Sequence, residues 1–435
     1  MMIPGMPGNQ ITPDQAPPIS LPFLFFATGI FWLIALGCYP LFHSGSLFFS
    51  TWLPITLGWT HFATLGFLAS VMMGAFYQMT PVVAGKPVPF IKLGYFTFFL
   101  HLTGSILFVW GLSQYHLLIL KAGLTAEGLA TAAFLLPCLW AIFTAPIKHP
   151  SVSGMKLSIL ALFITVVLGM LLGAAHLGLP YSGLRALWIQ AHLTFGGMGW
   201  IGMLLVSVSW QVVPMFYLTP YYNAKYMKFT LFVQSLLFLL LLSGLVVHAT
   251  LGVTWMSQAA ALTLTLPILF IHPIYSLKLM RKRRRKVQDG SLLFWKLGLL
   301  SALCGFAFIL LGLFHSSDKL NILTGWVLLF GWAGSIVHGM LYRIIPFLLW
   351  FHKFSSMVGI KRVPSMKSLL PEKTIKIALH CHTCALLFGV LAILYNKPLV
   401  NQTMGILIAV TGVCLLFNMA SALLRTREAL LKQDG

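Results

Sequence analysis

Residues 66–81 read GFLASVMMGAFYQMTP, and the same pattern returns as GWIGMLLVSVSWQVVP at 199–214 and as GWAGSIVHGMLYRIIP at 331–346. Each copy begins with Gly and an aromatic residue and has Gly or Ser eight residues later. An aromatic residue followed by Gln or Arg comes next, and Pro ends the copy. The copies start 133 and 132 residues apart (66 to 199 to 331). Self-similarity at one fixed period predicts a fold built from three repeats. We call this stretch the signature.

The composition is that of a membrane protein. Of the 435 residues, 59% are hydrophobic and only 8% are charged, whereas soluble domains carry about 25% charge. An apolar run of about 20 residues can span a bilayer as a helix. Twelve such runs predict an all-α, polytopic fold of three four-helix repeats, with the signature on the second helix of each. The runs lie near 20–42, 56–81, 92–112, 122–145, 155–178, 187–217, 227–249, 253–276, 292–314, 321–351, 374–395 and 400–424.

The distribution of basic residues predicts the orientation in the membrane. The net charge is +21, and KLMRKRRRK (278–286) occupies the loop between helices eight and nine. By the positive-inside rule this loop is cytoplasmic. With twelve helices, both termini are then expected on the cytoplasmic side of a bacterial inner membrane. The basic run is read as a topogenic signal that touches anionic lipid head groups, not nucleic acid. Further basic residues on the same side are Lys86, Lys148, Lys156, Lys225, Lys228, Lys353, Lys361 and Arg362.

The chain divides into one membrane domain and two tails. Residues 1–19 are rich in Pro and Gly and lack a basic segment, so we expect a flexible cytoplasmic tail and not a cleaved signal. Residues 20–424 form a single twelve-helix domain with repeats near 20–150, 151–286 and 287–424. Residues 425–435 form a second cytoplasmic tail. The six Cys residues lie mostly inside helices and indicate no disulfide framework.

Several histidines are predicted to gather toward the outer surface. His61 and His192 lie in the outer parts of helices two and six, five and seven residues before the signature Gly. Ionisable side chains inside a span are costly and usually face the bundle interior or a cavity. Each therefore serves either as a ligand or as a hydrogen-bonding partner of a neighbouring helix. The other outer histidines end helices and are His43, His176, His248 and His315.

Two further sets of residues are candidates for cofactor contacts. His338 lies in the inner half of helix ten, and helix eleven opens with HCHTC (380–384), in which His380 and His382 are candidate ligands for copper or zinc. Helical geometry puts His380 and Cys384 on one face, so this segment alone makes a weak site. Arg185 could clamp a carboxylate such as a haem propionate, and so could Arg343 in the signature; either side chain could instead reach the head groups.

The arrangement resembles subunit I of the haem-copper oxidase superfamily, in which helices two, six and ten carry histidine ligands. The resemblance implies haem b at His61, which matches the low-spin haem position, and copper at His192, which matches the copper position. The paired histidines of helix seven and the His-x-His of helix ten are missing. The chain also resembles the NnrS family of haem- and copper-containing membrane proteins linked to nitric oxide. The WHxHE-type motif that the NnrS family carries on helix two is reduced in this chain to His61 in THFATLGF.

Three functions remain open from the sequence. The first is a redox, electron-transfer or NO/O2-related role with haem or copper but without a complete binuclear site; if this protein is an enzyme, it is an oxidoreductase. The second is a transporter or channel, and the third is a cofactor-free assembly factor for respiratory complexes. Acid-based proton transport is disfavoured because Glu127 is the only carboxylate predicted inside a span. The expected partners are the bilayer and other respiratory subunits.

Overall fold

The computed structural model describes residues 16–178 and 184–434. It confirms an all-α fold with twelve helices that are long and apolar enough to cross a membrane. The helices are α1 Ser20–His43, α2 Pro54–Ala84, α3 Ile91–Ser113, α4 Leu117–Phe143, α5 Pro150–His176, α6 Arg185–Tyr217, α7 Ala224–Leu251, α8 Trp255–Arg281, α9 Gly290–Gly312, α10 Asp318–Met357, α11 Glu372–Tyr395 and α12 Pro398–Lys432.

The three signature helices, α2, α6 and α10, share a local change in the spacing of their main-chain hydrogen bonds. Each contains an eight-residue π-helical segment, at Phe62–Ala69, Phe195–Gly202 and Val327–Gly334. Each segment begins four residues before the signature Gly and ends three residues after it. π-Helical turns are rare and are frequently found at functional sites. Their identical register confirms that the three copies are structural repeats.

The signature prolines do not end their helices. Pro81, Pro214 and Pro346 lie inside α2, α6 and α10, each of which continues for at least three more residues. Prolines are tolerated inside membrane helices because neighbouring groups can satisfy the carbonyl that the missing N–H leaves free. The three signature helices are also the most buried of the twelve. In their most apolar windows 94%, 72% and 61% of the residues are buried, against 56% or less elsewhere.

The first helix of each repeat packs on the signature helix through the small residue eight positions after the signature Gly. A Cβ at Gly74 would come within 2.7 Å of Phe25 Cβ on α1, and one at Gly339 within 2.6 Å of Phe294 Cβ on α9. In the second repeat the roles are reversed. Ser207 occupies the signature position, and its Cβ would lie 2.4 Å from a Cβ at Gly154 on α5. Close backbone approach at small residues is the usual way in which membrane helices associate.

The contacts group the described helices into two compact units. The central unit comprises residues 79–286 and contains α3 to α8, and the terminal unit comprises 16–78 together with 287–434. The terminal unit therefore contains α1 and most of α2 with α9 to α12. In it α12 packs along both α1 and α11. The repeat boundaries near 150 and 286 remain a prediction.

Candidate functional site

His61 and His192 are held in the same way by main-chain carbonyls. His61, in the terminal unit, has Nδ1 2.7 Å from the carbonyl oxygen of Leu57. His192, in the central unit, has Nδ1 2.9 Å from the carbonyl oxygen of Thr165 on α5. A carbonyl only accepts hydrogen bonds, so Nδ1 carries the proton in both rings, and Nε2 carries the lone pair of the neutral imidazole. Both side chains are half-buried.

The space for the His192 ring comes from a glycine. A Cβ at Gly169 on α5 would lie 3.1 Å from Cε1 of His192. Gly169 is one turn along α5 from Thr165, whose carbonyl receives the His192 proton. The ring therefore lies against the backbone of α5 at Gly169, and its orientation is set by the hydrogen bond to Thr165 of that helix.

Two of the remaining outer residues in the central unit are His176 at the end of α5 and Arg185 at the start of α6. The His176 ring lies 6.4 Å from the ring of Tyr115. In the terminal unit, His43 lies 4.5 Å from the ring of Tyr39 on its own helix. These contacts are typical of polar residues at the ends of membrane helices.

The other two outer histidines have few contacts. His248 is half-buried near the end of α7, and its Nδ1 has no hydrogen-bond partner among the described residues. His315 follows α9 and is exposed. Among the residues described, no group of three His, Cys, Asp or Glu side chains could hold a metal ion.

The inner candidates His338 and His382 form a buried pair that the sequence did not predict. Their rings are 5.4 Å apart, edge to face, and both side chains are at most 1% exposed. His338 Nε2 lies 2.8 Å from the Tyr342 hydroxyl, and His382 Nε2 lies 2.8 Å from the hydroxyl of Ser335. The hydroxyl groups therefore occupy Nε2 of both rings.

An aromatic stack continues from this pair along α10. Phe330 stacks on His382 at 4.4 Å, Trp326 stacks on Phe330 at 4.4 Å, and Trp59 of α2 stacks on Trp326 at 5.5 Å. The burial of aromatic rings contributes strongly to packing. This column accordingly joins α2, α10 and α11 of the terminal unit.

The HCHTC segment does not present its residues to one side. His380 is exposed, and its Nδ1 donates to the Lys376 carbonyl at 2.6 Å. Cys384 is exposed as well, whereas His382 is buried. This is the division that helical spacing predicts, because residues two apart face different directions.

A third polar cluster lies in the central unit and involves Glu127. One carboxylate oxygen accepts from Ser105, and the other lies 3.1 Å from Nδ1 of His101. All three residues are buried. The sequence contained one signal that could have found the cluster, because His101 and Ser105 are four residues apart and so share a face of α3.

His272 of α8 is buried but fully bonded. Its Nε2 lies 3.1 Å from the Ser209 hydroxyl, and its Nδ1 lies 3.3 Å from the Tyr226 hydroxyl. The Tyr222 ring stacks on it at 5.8 Å, and burial raises the pKa of the Tyr222 phenol. Since each ring nitrogen has a neutral partner, this histidine joins α6, α7 and α8 without an evident chemical role.

In the second and third repeats, the Gln or Arg of the signature binds the residue that caps the first helix of its own repeat, whereas the amide group of Gln78 in the first repeat is buried without a hydrogen-bond partner among the described residues. Gln211 donates from Nε2 to Nδ1 of His149, the N-cap of α5, at 2.9 Å. Arg343 forms an ion pair with Asp289, the N-cap of α9. The carboxylate that Arg343 contacts thus belongs to the chain itself. This part of the signature connects the signature helix to the preceding helix of the repeat.

Comparison with known proteins supports the fold. No family model matches the chain, and no curated protein matches it either. Among solved structures it is similar to a haem-copper terminal oxidase, determined as a dimer by cryo-EM, with a TM-score of 0.56 and 12% identity. The similarity covers 95% of this chain and 84% of the oxidase chain. At this identity the likeness establishes the oxidase-like fold and leaves the activity open.

Proposed function

We propose that this protein is a redox-active membrane protein that would bind haem b through His61, and haem or copper through His192. The observation that carries the proposal is the shared hydrogen bond from Nδ1 to a main-chain carbonyl. Metal-bound histidines almost always donate their other ring N–H to a carbonyl or carboxylate, which fixes the ring and leaves the second nitrogen for the metal. Both rings donate their Nδ1 proton to a carbonyl in this way.

The same criterion ranks the other candidates lower. His338 and His382 have hydroxyl groups at Nε2 and so could bind a metal only through Nδ1. His380 has the favourable hydrogen bond, but its side chain is exposed. His43, His176, His248, His315 and Arg185 remain candidates for contacts to the periphery of a cofactor.

Bound haem or copper would supply one-electron chemistry, with a potential set by its ligands and burial. The chain's own residues would orient the ligands through the Leu57 and Thr165 carbonyls. The proposed role is electron transfer or handling of NO or O2, as in the haem-copper oxidase and NnrS families. The site of action would be the bacterial inner membrane, with cytoplasmic termini and other respiratory subunits as partners.

The test is an absorption spectrum of the purified protein, oxidised and then reduced with dithionite, with iron and copper analysis of the same sample. We expect a Soret band and sharp reduced α and β bands, and we expect the α and β bands to be lost in His61→Ala. His192→Ala should lower the copper content or remove a second haem component. His380→Ala is the matched control, because this exposed histidine donates the same i to i−4 hydrogen bond as His61.

A cofactor can be lost during purification, so the apoprotein is also titrated with haemin. Failure to bind haemin, together with the absence of iron and copper from protein made in haem-replete cells, would overturn the proposal. Binding that is unaffected by His61→Ala and His192→Ala would place the site elsewhere.

One observation favours the alternative of a transporter or channel. Glu127 and His101 form a buried pair of titratable groups inside the spans of the central unit. Ionisable groups in this position often mark ion or proton pathways. A colourless protein that nevertheless moves ions across liposome membranes would favour this function, and an inert, colourless protein would favour an assembly role.

A further inference from the structure

The segment that follows α8, residues 281–286, is folded around a buried arginine. We call this segment the basic turn. Arg283 is only 7% exposed, whereas the other five residues of the basic turn are all exposed. Its guanidinium group donates to the Met280 carbonyl at 2.9 Å and to the Lys286 carbonyl at 2.7 Å. These two hydrogen bonds close the turn from the inside, so the exposed cations are held on a fixed frame.

Two further hydrogen bonds hold the basic turn in place. The main-chain N–H of Arg284 donates to the Leu218 carbonyl, just after α6, at 3.0 Å, and Lys286 Nζ donates to the Arg281 carbonyl at 3.3 Å. The last carbonyls of a helix have no partner within it and carry a partial negative charge. Cationic groups of Arg283 and Lys286 cover two of these carbonyls at the end of α8, which reduces their repulsion of an anion.

The chain supplies no negative charge to this region. Residues 218–288 contain no acidic residue but nine basic ones, which are Lys225, Lys228, Lys278 and the six residues of the basic turn. The next acid along the chain, Asp289, is already paired with Arg343. Neither ion pair in the described part of the chain involves Arg283. A buried charge without a counter-charge is costly, so an anion bound from outside the protein would stabilise the basic turn.

One face of α8 leads from apolar side chains to the basic turn. Ile271, Ile274, Lys278 and Arg281 follow one another at spacings of three and four residues, so they lie along one face of the helix. All four side chains are exposed. In a phospholipid the acyl chains likewise adjoin a phosphate group. The sequence of groups along this face therefore matches a lipid better than it matches a soluble anion.

Tyrosines at the same end of α8 indicate the depth of this face in the membrane. Tyr222, Tyr226 and Tyr275 form a cluster in which the ring centroids are 4.6 to 6.4 Å apart. Tyr275 lies one turn of α8 before Lys278. Tyrosine is enriched where a membrane protein crosses the level of the lipid head groups. The cations that follow Tyr275 are accordingly at the depth of the lipid phosphates.

We propose that the basic turn and the adjoining face of α8 form a binding site for an anionic phospholipid. The phosphate group would bind Lys278, Arg281 and the exposed cations of the turn, and the acyl chains would lie along Ile271 and Ile274. Arg283 is a positioning residue, because it maintains the shape of the turn without touching the lipid. Charge alone predicts loose contact with head groups, whereas a braced turn predicts a defined site. This inference goes beyond the proposed redox function and does not depend on a bound haem.

The test measures the binding of the first lipid to the detergent-purified, full-length protein by native mass spectrometry. Phosphatidylglycerol and phosphatidylcholine with the same acyl chains are compared, because both contain a phosphodiester but only the former has a net negative charge. We expect phosphatidylglycerol to bind more tightly. An excess of glycerol 3-phosphate, which lacks acyl chains, should not displace it. Equal affinities for the two lipids would overturn the proposal, and so would displacement by glycerol 3-phosphate, which would identify a site for soluble phosphates.

Variants of exposed residues locate the site. Lys278→Gln and Arg281→Gln each remove one charge from an exposed position, so we expect the fold to be retained. Each should weaken the binding of phosphatidylglycerol about fivefold and leave that of phosphatidylcholine unchanged. Arg427→Gln is the matched control, since Arg427 is an exposed arginine of α12 in the terminal unit. Affinities of Lys278→Gln and Arg281→Gln equal to that of Arg427→Gln would overturn the proposal.

Arg283→Lys separates the shape of the site from its charge. The substitution keeps the charge, but an ammonium group lacks the planar fork that bonds two carbonyls at once. We expect the affinity for phosphatidylglycerol to fall as it does when an exposed cation is lost. Arg427→Lys is the control and should bind as the wild type does. Melting temperatures without lipid are measured for both variants. A folded Arg283→Lys protein with unchanged affinity would contradict a site built on the turn, and the two exposed variants decide the site if Arg283→Lys does not fold.

Discussion

Gly389 of α11 lies directly against the indole ring of Trp326 of α10. A Cβ at position 389 would come within 2.2 Å of Trp326 Cε2, and the indole N–H donates to the Leu386 carbonyl at 3.0 Å. Trp326 in turn stacks on Phe330 and Trp59. This one close approach therefore positions the aromatic column that ends at the buried pair His338 and His382.

Gly389→Ala should destabilise the protein. The added methyl group overlaps ring atoms that are held on both faces, and overpacking of this kind costs roughly 1–3 kcal/mol. The measurement is thermal unfolding in detergent. Gly325→Ala is the control, because this residue is also helical but a Cβ there meets nothing within 4 Å. Equal melting temperatures for the two variants would contradict the packing described here.

The contact between Gly154 and Ser207 in the second repeat predicts that a second substitution can restore the stability lost by a first. Gly154→Ala alone should lower stability, because its methyl group would meet the Ser207 side chain. Ser207→Gly alone should cost less than about 1 kcal/mol through helix propensity, because Ser lies between Ala and Gly on that scale. The double variant Gly154→Ala, Ser207→Gly again pairs one residue without a side chain with one that has a Cβ. It should therefore be more stable than Gly154→Ala alone. A double variant that is less stable than both single variants would show that the two residues do not share this contact.

The ion pair between Arg343 and Asp289 predicts a measurable coupling. Asp289→Asn keeps a good N-cap for α9 but removes the charge, and Arg343→Gln introduces the residue of the other two signatures. The side chains are 19% and 21% exposed, so we expect a coupling on the order of 1 kcal/mol that weakens with salt. A double-mutant cycle on the free energy of unfolding measures it. Strict additivity at low salt would argue against the pair.

His149 predicts a pH-dependent contribution to stability. Burial lowers the pKa of this imidazole below its usual value of 6.5, and its Nδ1 accepts from Gln211 and from the main chain of Ser151 only when unprotonated. The folded state therefore binds this proton less tightly than the unfolded state. The contribution is complete above pH 6.5 and is lost as the pH falls from there through the lowered pKa.

His149→Asn should remove this dependence. Asn can still cap α5 but does not titrate in this range. The difference in melting temperature between the wild-type protein and His149→Asn should therefore change between pH 7.5 and pH 5.5, in the direction of a relative loss for the wild type. A difference that is constant over this range would contradict the assignment.

The sequence predicted the helices, their number and the threefold repeat. It predicted the environments of the histidines only in part. The signature identified α2, α6 and α10, and these proved to be the most buried helices. The partners of His338, His382 and Glu127 were missed. In an apolar chain every face of a helix is hydrophobic, so periodicity does not reveal which face turns inward.

The sequence by itself determined that the chain forms twelve membrane helices in three related groups, because the transfer of a long apolar run into a bilayer depends on its composition and length. Only the tertiary structure decided which polar groups meet. The π-helical segments change the helical phase within the signature, and close contacts at glycines set how far each side chain reaches. Glycine contacts brought Glu127 to His101, and the packing of the helices brought His338 to His382 and left His380 exposed.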